Sequence, residues 1–284
     1  MFTLAVFPNV DKENAITVVK RIVNFCEKKN LNLVIPLDEA LFFGCEEYGI
    51  ENIDKINIDM GLSVGGDGTL LGVCRRLFSK NIPVCGINIG TFGFLADIEL
   101  SELENKLEKI LNGHFYIEER MILSGYVKSG DEGARFLGNA INDIVVTKGG
   151  VARMLHLGLS IDNRMVMDYK ADGLIVSTAT GSTAYSLSAG GPIINPKLKV
   201  LLLTPICPHT FNARPMVIDE KDEVTVHIAA MHQDIIVSFD GQESFQLLPG
   251  DDIIVKTSAL PAKIVKFDDK NYYQIIRTKL LYNS

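Results

Sequence analysis

The chain is short of the features that mark several common protein classes. Its five cysteines, Cys26, Cys45, Cys74, Cys85 and Cys207, include no CxxC pair. An odd, scattered set in apolar surroundings excludes a disulfide framework and a zinc site, and points to a reducing compartment. The five histidines form no metal-ligand constellation. His227 and His232 flank a turn between two strand-like runs, where exposed or core-edge imidazoles are expected. Basic residues are in deficit, 28 against 35 acidic, and the net charge of −7 makes no electrostatic case for a nucleic-acid or membrane partner. No apolar run approaches the ~18–20 residues that span a bilayer. The opening MFTLAVFPNV has no charged start and no long apolar stretch, so it reads as a strand and not a leader. A cytoplasmic protein is the expectation. No GxxxxGK[ST] occurs, which removes the P-loop NTPases. There is no internal repeat and no low-complexity linker.

What is present is an ordinary globular composition, 47% hydrophobic and 22% charged, over 284 residues, enough for two domains. The first third alternates strand and helix. TLAVF (3–7) is a buried strand, and Ala15, Val18, Val19, Ile22, Val23 and Cys26 then recur at helical spacing, with Asp11 as a candidate N-cap. LNLVIP, DMGLSVG and IPVCGINIG are further strands. SELENKLEKILNG is a helix in which Ser101 and Glu104 fit a capping box and Gly113 fits a stop. Such alternation predicts a parallel sheet covered by helices, a Rossmann-like α/β domain over 1–114. From 115 to 266 the pattern becomes many short β runs. Val224, Val226 and Ile228 alternate with polar neighbours, as do Ile235, Val237 and Phe239. An all-β domain is expected there. Residues 267–284 return to helical spacing and are expected to rejoin the first domain.

SVGGDGTLLG (63–72) lies between a strand and a helix. Glycines at such a turn expose backbone N–H groups beside a helix N-terminus, a ready place for phosphate. Gly65, Gly66 and Gly68 permit positive φ and close backbone approach, and Thr69 can cap the helix. The spacing is not GxGxxG, the dinucleotide fingerprint. An isolated Gly-Asp-Gly is ordinarily a turn. Here the flanking strand, helix and glycines favour a functional acid: Asp67 beside a phosphate is suited to take a proton from an alcohol that accepts a phosphoryl group. A second cluster, NIGTFGFL (88–95), follows the next strand, and two such loops at neighbouring strand ends line one crevice.

The stretch DYKADGLIVSTATGSTAYSLSAGGPII (168–194) is dense in small and hydroxylic residues. Small side chains let a flat ring or a sugar lie against backbone, and hydroxyls serve ribose and phosphate. A tight loop with helix caps fits the same letters, and Tyr185 either stacks on a base or packs in the core. Asn142 and Asp143 begin a strand, where an adjacent amide and acid suit a ribose diol or a base edge. Lys170 and Asp172 share one face of an extended segment. Arg153 is a candidate cation, although surface charge is its commoner role. SFDGQE (238–243) is a tight Asp-Gly hairpin turn.

In this order, GGDGT (65–69), NIGTFGFL, NDI (142–144), DGLIVSTATGSTAYSLSAGGP (172–192), TPICPH (204–209) and DGQ (240–242) resemble the bacterial NAD kinases over nearly the whole chain. GGDGT alone also resembles lipid kinases and phosphofructokinase-like enzymes. The resemblance implies the two-domain fold above, and phosphoryl transfer from ATP or inorganic polyphosphate to the adenosine ribose 2′-hydroxyl of NAD, making NADP, with Mg²⁺ or another divalent cation. It implies Asp67 as general base, and NAD contacts from Asp67, Gly68, Asn142, Asp143, Arg153, Lys170, Asp172, Thr183, Ala184, Tyr185, Ser186, Leu187, Ser188 and Gln242. Gly65, Gly66, Gly68 and Thr69 would hold the phosphate donor. It also implies NAD at the domain junction and homodimers or homotetramers that share the site. Metal ligands are not readable. Against the family pattern, Ala179 replaces a common proline, Asp143 a glutamate, Lys170 an arginine found in some members, and Gly72 a residue basic in some. The alternatives are a lipid or sugar kinase with the same loop, or a dinucleotide sensor without catalysis.

Overall fold

A computed structural model describes every residue except 91–92, 151–153, 210–211, 230–233, 269–270 and 282–284. The chain forms two units. One comprises Met1–Glu119 with Ala262–Ser284, and the other Arg120–Pro261.

The first unit opens with strand β1 (Thr3–Pro8), helix α1 (Ala15–Lys29), β2 (Asn32–Pro36), α2 (Leu37–Phe43), β3 (Gly49–Ile50) and β4 (Met60–Gly65). It continues with α3 (Asp67–Leu77), β5 (Val84–Asn88), β6 (Ile98–Glu99), α4 (Leu103–Leu111) and β7 (Tyr116–Arg120). β1, β4 and β5 are buried at every position, and β2–β1, β1–β4 and β4–β5 pair in parallel. This is the pattern of a sheet covered on both faces. Of the positions its periodicity marks, helix α1 buries Ala15, Val18, Val19, Ile22 and Cys26 and half-buries Val23, and Phe25 is buried with them. It stops at Asn30, which turns left-handed at φ 51°.

Three local expectations fail. Asp11 does not cap α1: Asn14 holds the N-cap position without a side-chain bond, and the Asp11 N–H donates to the Asn9 side chain. The capping box of Ser101 and Glu104 is not formed, because residues Leu100–Glu102 make a 3₁₀ turn and Glu102 precedes α4. Thr69 lies inside α3, whose N-cap is Gly66.

The second unit contains β8 (Leu123–Ser129), β9 (Arg135–Ala140), β10 (Asp143–Lys148), β11 (Leu155–Ile161), β12 (Arg164–Ala171), β13 (Gly173–Thr178) and the short α5 (Tyr185–Ser188). Then come β14 (Val200–Ile206), β15 (Met216–Asp219), β16 (Val224–Ile228), β17 (Ile235–Phe239), β18 (Glu243–Leu247) and β19 (Asp251–Thr257). They form two six-stranded sheets, ordered β15-β14-β13-β10-β17-β18 and β12-β11-β16-β19-β8-β9. Among the described residues the pairings within them are antiparallel. One apolar core takes residues from both: Ile144, Val146, Leu174, Val176, Val237 and Phe239 from the first, Val127, Leu157, Leu159, Val226, Ile253 and Val255 from the second. The alternation at 224–228 and 235–239 sets these inward faces.

The chain then returns to the first unit as β20 (Ala262–Lys266) and α6 (Tyr272–Leu281). β20 pairs in parallel with β5, and the sheet order is β3-β2-β1-β4-β5-β20-β7, with β6 also on β5. The run of short β segments assigns 115–266 to the β domain. The structure moves β7 and β20 into the first sheet, because long-range pairing, not local composition, decides which sheet a strand joins. In the same unit the Lys279 ammonium of α6 sits 5.0 Å from the centre of the Phe94 ring.

Candidate active site

The acid in the glycine loop has a specific structural task. Asp67 is the first residue of α3, and its half-buried carboxylate reaches the segment after β5. Oδ2 accepts the Phe94 N–H at 2.7 Å, and Oδ1 accepts those of Leu95 and Ala96 at 3.1 and 3.2 Å. Asp67 therefore clasps the two glycine loops together. A Cβ on Gly93 would lie 2.1 Å from Asp67 Oδ1, so only glycine lets the backbone come this close. A carboxylate offers about four acceptor positions. Three are filled, and Oδ2 retains room for one more donor.

The glycines of the first loop work differently from expectation. None of Gly65, Gly66 and Gly68 has positive φ. Gly65 is required because a Cβ there would meet the Thr69 Oγ1 at 2.2 Å. The Thr69 hydroxyl accepts from Asn9 Nδ2 at 3.2 Å, and the Asn9 N–H bonds the Val64 carbonyl at 2.9 Å, so the end of β1 braces the loop. Gly68 is exposed and Gly66 half-buried.

A second carboxylate clasp organises the other unit. The hairpin between β17 and β18 turns through Asp240 (φ 50°) and Gly241 (φ 65°), the left-handed pair of a tight hairpin. The Asp240 carboxylate accepts the N–H groups of Ile141 (3.1 Å), Asn142 (2.7 Å) and Asp143 (3.2 Å), and its own N–H bonds the Asp143 carbonyl at 2.9 Å. The Thr178 N–H bonds the Asn142 carbonyl at 2.9 Å, and its hydroxyl donates to the Ile141 carbonyl at 2.6 Å and accepts the Gly181 N–H at 3.1 Å. A Cβ on Gly181 would fall 2.1 Å from the Asn142 carbonyl oxygen. NDI, STATG and DGQ thus meet at one place, with Asn142 half-buried and Asp143 4% exposed. Burial, and then the charge of Asp240, push the Asp143 carboxyl up to about 7. Replacing Asp240 by asparagine sets an amide N–H₂ against backbone donors. We expect a loss of ~1–3 kcal/mol, read as a lower Tm.

The 183–188 segment divides. Tyr185 is 45% exposed, Ser188 is exposed, and Thr183, Ala184 and Leu187 are half-buried. The Ser186 side chain is fully buried, with its hydroxyl 2.8 Å from that of Thr204, so it joins STAYS to TPICPH. The Ser182 hydroxyl donates to the Ala179 carbonyl at 2.7 Å and accepts the Ile194 N–H at 3.0 Å, closing the loop.

Asp172 and Lys170 belong to a different place. The Asp172 carboxylate pairs with Lys148 Nζ at 2.7 Å, and the Asp172 carbonyl accepts the Lys148 N–H at 3.0 Å. Lys170, exposed on β12, accepts the His209 N–H on its carbonyl at 2.7 Å. Lys148 ends β10 and Asp143 begins it, a separation of roughly 17 Å at ~3.4 Å per residue. Gln242 is exposed just after the Asp-Gly turn. His227 lies on β16 with Nδ1 2.7 Å from Asp252. Arg153 and His232 lie outside the described residues. Sequence reasoning missed Lys148, Thr178, Ser182, Thr204 and the clasping role of Asp240. Thr178, Ser182 and Thr204 fall within stretches that the sequence singles out as a whole, and Asp240 had a signal of its own, a carboxylate at the first position of a left-handed turn.

Fold and site define a class: kinases in which a Gly-Gly-Asp loop on a parallel sheet accompanies an all-β unit. Residues 4–115 match the ATP-NAD kinase N-terminal domain and residues 141–267 the ATP-NAD kinase C-terminal domain. The chain belongs to the NAD kinase family, phosphotransferases that act on NAD. It is 41% identical over 280 residues to the NAD kinase of Moorella thermoacetica, covering 99% of this chain and 89% of that one. It is 38% identical over 282 residues to the NAD kinase of Heliobacterium modesticaldum, covering 99% of each. Among solved structures, a yeast NADH kinase complexed with NADH superposes with a TM-score of 0.92 at 24% identity, covering 100% of this chain and 89% of that one. An NAD kinase from Archaeoglobus fulgidus in complex with ATP gives 0.74 at 27% identity, covering 99% and 97%.

Proposed function

We propose that this protein transfers the γ-phosphoryl of ATP to the 2′-hydroxyl of the adenosine ribose of NAD, with Asp67 as general base. The hydroxyl proton passes to Asp67 Oδ2, the new O–P bond forms, the bond to the β-phosphate oxygen breaks, and ADP leaves. The observation that carries this reading is the Asp67 carboxylate, fixed by three backbone N–H donors yet able to accept one more. Phosphoryl transfer asks for placement above all, and a carboxylate so held loses little freedom on binding an alcohol. Gly65, Gly66, Gly68 and Thr69 hold the donor phosphates beside the N-terminus of α3. The divalent cation arrives with ATP as part of that substrate. Among the described residues no three His, Cys, Asp or Glu side chains converge on a metal position.

Asn142, Asp143, Gly68, the 183–188 backbone with Tyr185, and Gln242 contact the dinucleotide. Lys170 and Asp172 complete the site from a second copy of the chain. The length of β10 between Asp143 and the Lys148–Asp172 pair supports this, and a homodimer or homotetramer follows. No helix among the described residues is long and apolar enough to cross a membrane. With five free cysteines, four of them buried, we place the enzyme in a reducing cytoplasm.

The deciding assay incubates purified protein with NAD, Mg²⁺ and either ATP or polyphosphate, and detects product with an NADP-specific dehydrogenase. NADP with ATP is expected. Absence of NADP with both donors, while NAD binds in calorimetry, would return the reading to a non-catalytic sensor. The polyphosphate arm fixes the donor, and an arm with NADH fixes the acceptor.

A further inference from the structure

Behind the segment that clasps Asp67 lies a buried ionic group that the proposed chemistry does not use. Lys266, the last residue of β20, is 5% exposed, and Asp97 is 1% exposed. The Lys266 ammonium donates to the Leu95 carbonyl at 2.7 Å and lies 3.5 Å from Asp97 Oδ1. Asp97 Oδ2 accepts the Phe267 N–H at 2.9 Å, and the Asp97 N–H bonds the Gly86 carbonyl at 3.1 Å. Lys106, also buried, holds its ammonium 4.2 Å from the centre of the Phe267 ring. The Cys85 thiol beside these groups is raised above its ordinary range by burial and then by Asp97, as a weakly polarisable interior requires.

The Leu95 carbonyl and the Ala96 N–H belong to one planar peptide unit. Lys266 therefore acts on the oxygen of the same amide whose N–H donates to Asp67 Oδ1. An ammonium on the carbonyl withdraws electron density from the amide, makes its N–H a stronger donor and fixes its plane, and a low local dielectric enlarges the effect. We propose that Lys266 is a positioning residue for Asp67, acting through the Leu95–Ala96 peptide, with Asp97 as its counter-ion. The inference rests on the reading of Asp67 as general base. It gives the return of the chain as β20 a task in the chemistry: the last strand of the sheet delivers the charge that steadies the acid.

Changing Lys266 alone removes one charge from a buried ionic group, which is strongly destabilising. The test therefore uses the neutral pair Lys266→Met/Asp97→Asn. Lys266→Gln/Asp97→Asn, which retains a neutral donor, takes its place if the first does not fold. The readout is independent of turnover. Labelling leucine carbonyls with ¹³C and alanine amides with ¹⁵N selects Leu-Ala steps, of which the chain has two, Leu4–Ala5 and Leu95–Ala96. Relative to the unmodified protein, the Ala96 amide proton is expected to move upfield while that of Ala5 stays. The kcat for NADP formation should fall ~10-fold, with KM for NAD changed less than about twofold, the signature of an interaction made only in the transition state. An unmoved Ala96 signal overturns the proposal, and so does a moved signal with kcat unchanged. Asp67→Asn measured alongside separates the two ideas. If it is inactive, only the role of Lys266 has failed; if it is fully active, the base has been misassigned as well.

Discussion

The Asp67→Asn variant is expected to lose ~10²–10⁴-fold in kcat, the range typical for removal of a positioned general base. The substitution does more than remove a base, and the geometry says what else changes. Asparagine Oδ1 can keep the bonds from the Leu95 and Ala96 N–H groups. Its Nδ2 then faces the Phe94 N–H, which Asp67 Oδ2 now accepts at 2.7 Å. Two donors meet, and the clasp between the glycine loops weakens by ~1–3 kcal/mol. A lower Tm should accompany the lost activity. Calorimetric NAD affinity should stay within about tenfold of the original, because the remaining contacts proposed for NAD are untouched. That combination separates a missing proton acceptor from a collapsed site. Asp67→Glu offers no rescue: the carboxylate already fills the space a Gly93 side chain would occupy, so an added methylene has nowhere to go. Full turnover in Asp67→Asn would remove Asp67 from the proton-transfer step and leave it the clasp alone.

The parallel sheet and the sandwich were legible because each has a strong period. Fully apolar strands alternate with an amphipathic α1, and two-residue alternation marks β16 and β17. The failures share one physical origin. Asp67 meets partners 27 to 29 positions away, and Asp240 meets partners 97 to 99 away. No local pattern announces such contacts. The same holds for the glycines. Their letters suggest unusual φ, whereas Gly93 and Gly181 are required by atoms that approach from elsewhere in the fold, and Gly65 by Thr69 one helical turn on. β7 and β20 read as generic strands, and only pairing with β5 and with each other puts them in the first sheet. The capping box lost to a 3₁₀ turn that tightens the entry to α4, a competition between two local solutions that the letters alone do not decide.

Asp143 should make both stability and NAD binding depend on pH near neutrality, in opposite senses. Its carboxyl is raised from 3.8 to about 7, first by burial and then by Asp240. In the folded chain it keeps a proton that the unfolded chain gives up near pH 4. Between pH 4 and 7 the native state therefore binds more protons, and this group's contribution to stability declines as pH rises through that window, levelling above 7. The cost at pH 8 is roughly 4 kcal/mol. Asp143→Asn, which is neutral and of the same shape, should accordingly melt higher than the unmodified protein at pH 8 and match it near pH 4. Binding runs the other way. A carboxylate only accepts hydrogen bonds, whereas the protonated form presents an O–H of its own. If Asp143 accepts from a sugar hydroxyl of NAD, the ionised form is the competent one. Affinity should rise from pH 6 to 8, and binding near pH 6.5 should release a fraction of a proton, measurable by calorimetry in buffers of different ionisation enthalpy. In Asp143→Asn the affinity should be lower and flat with pH, and the proton release absent. A pH-independent affinity in the unmodified protein would mean that this buried acid serves only the loop that carries Asn142. The stability difference between the two proteins would persist, since it depends on burial and on Asp240 alone.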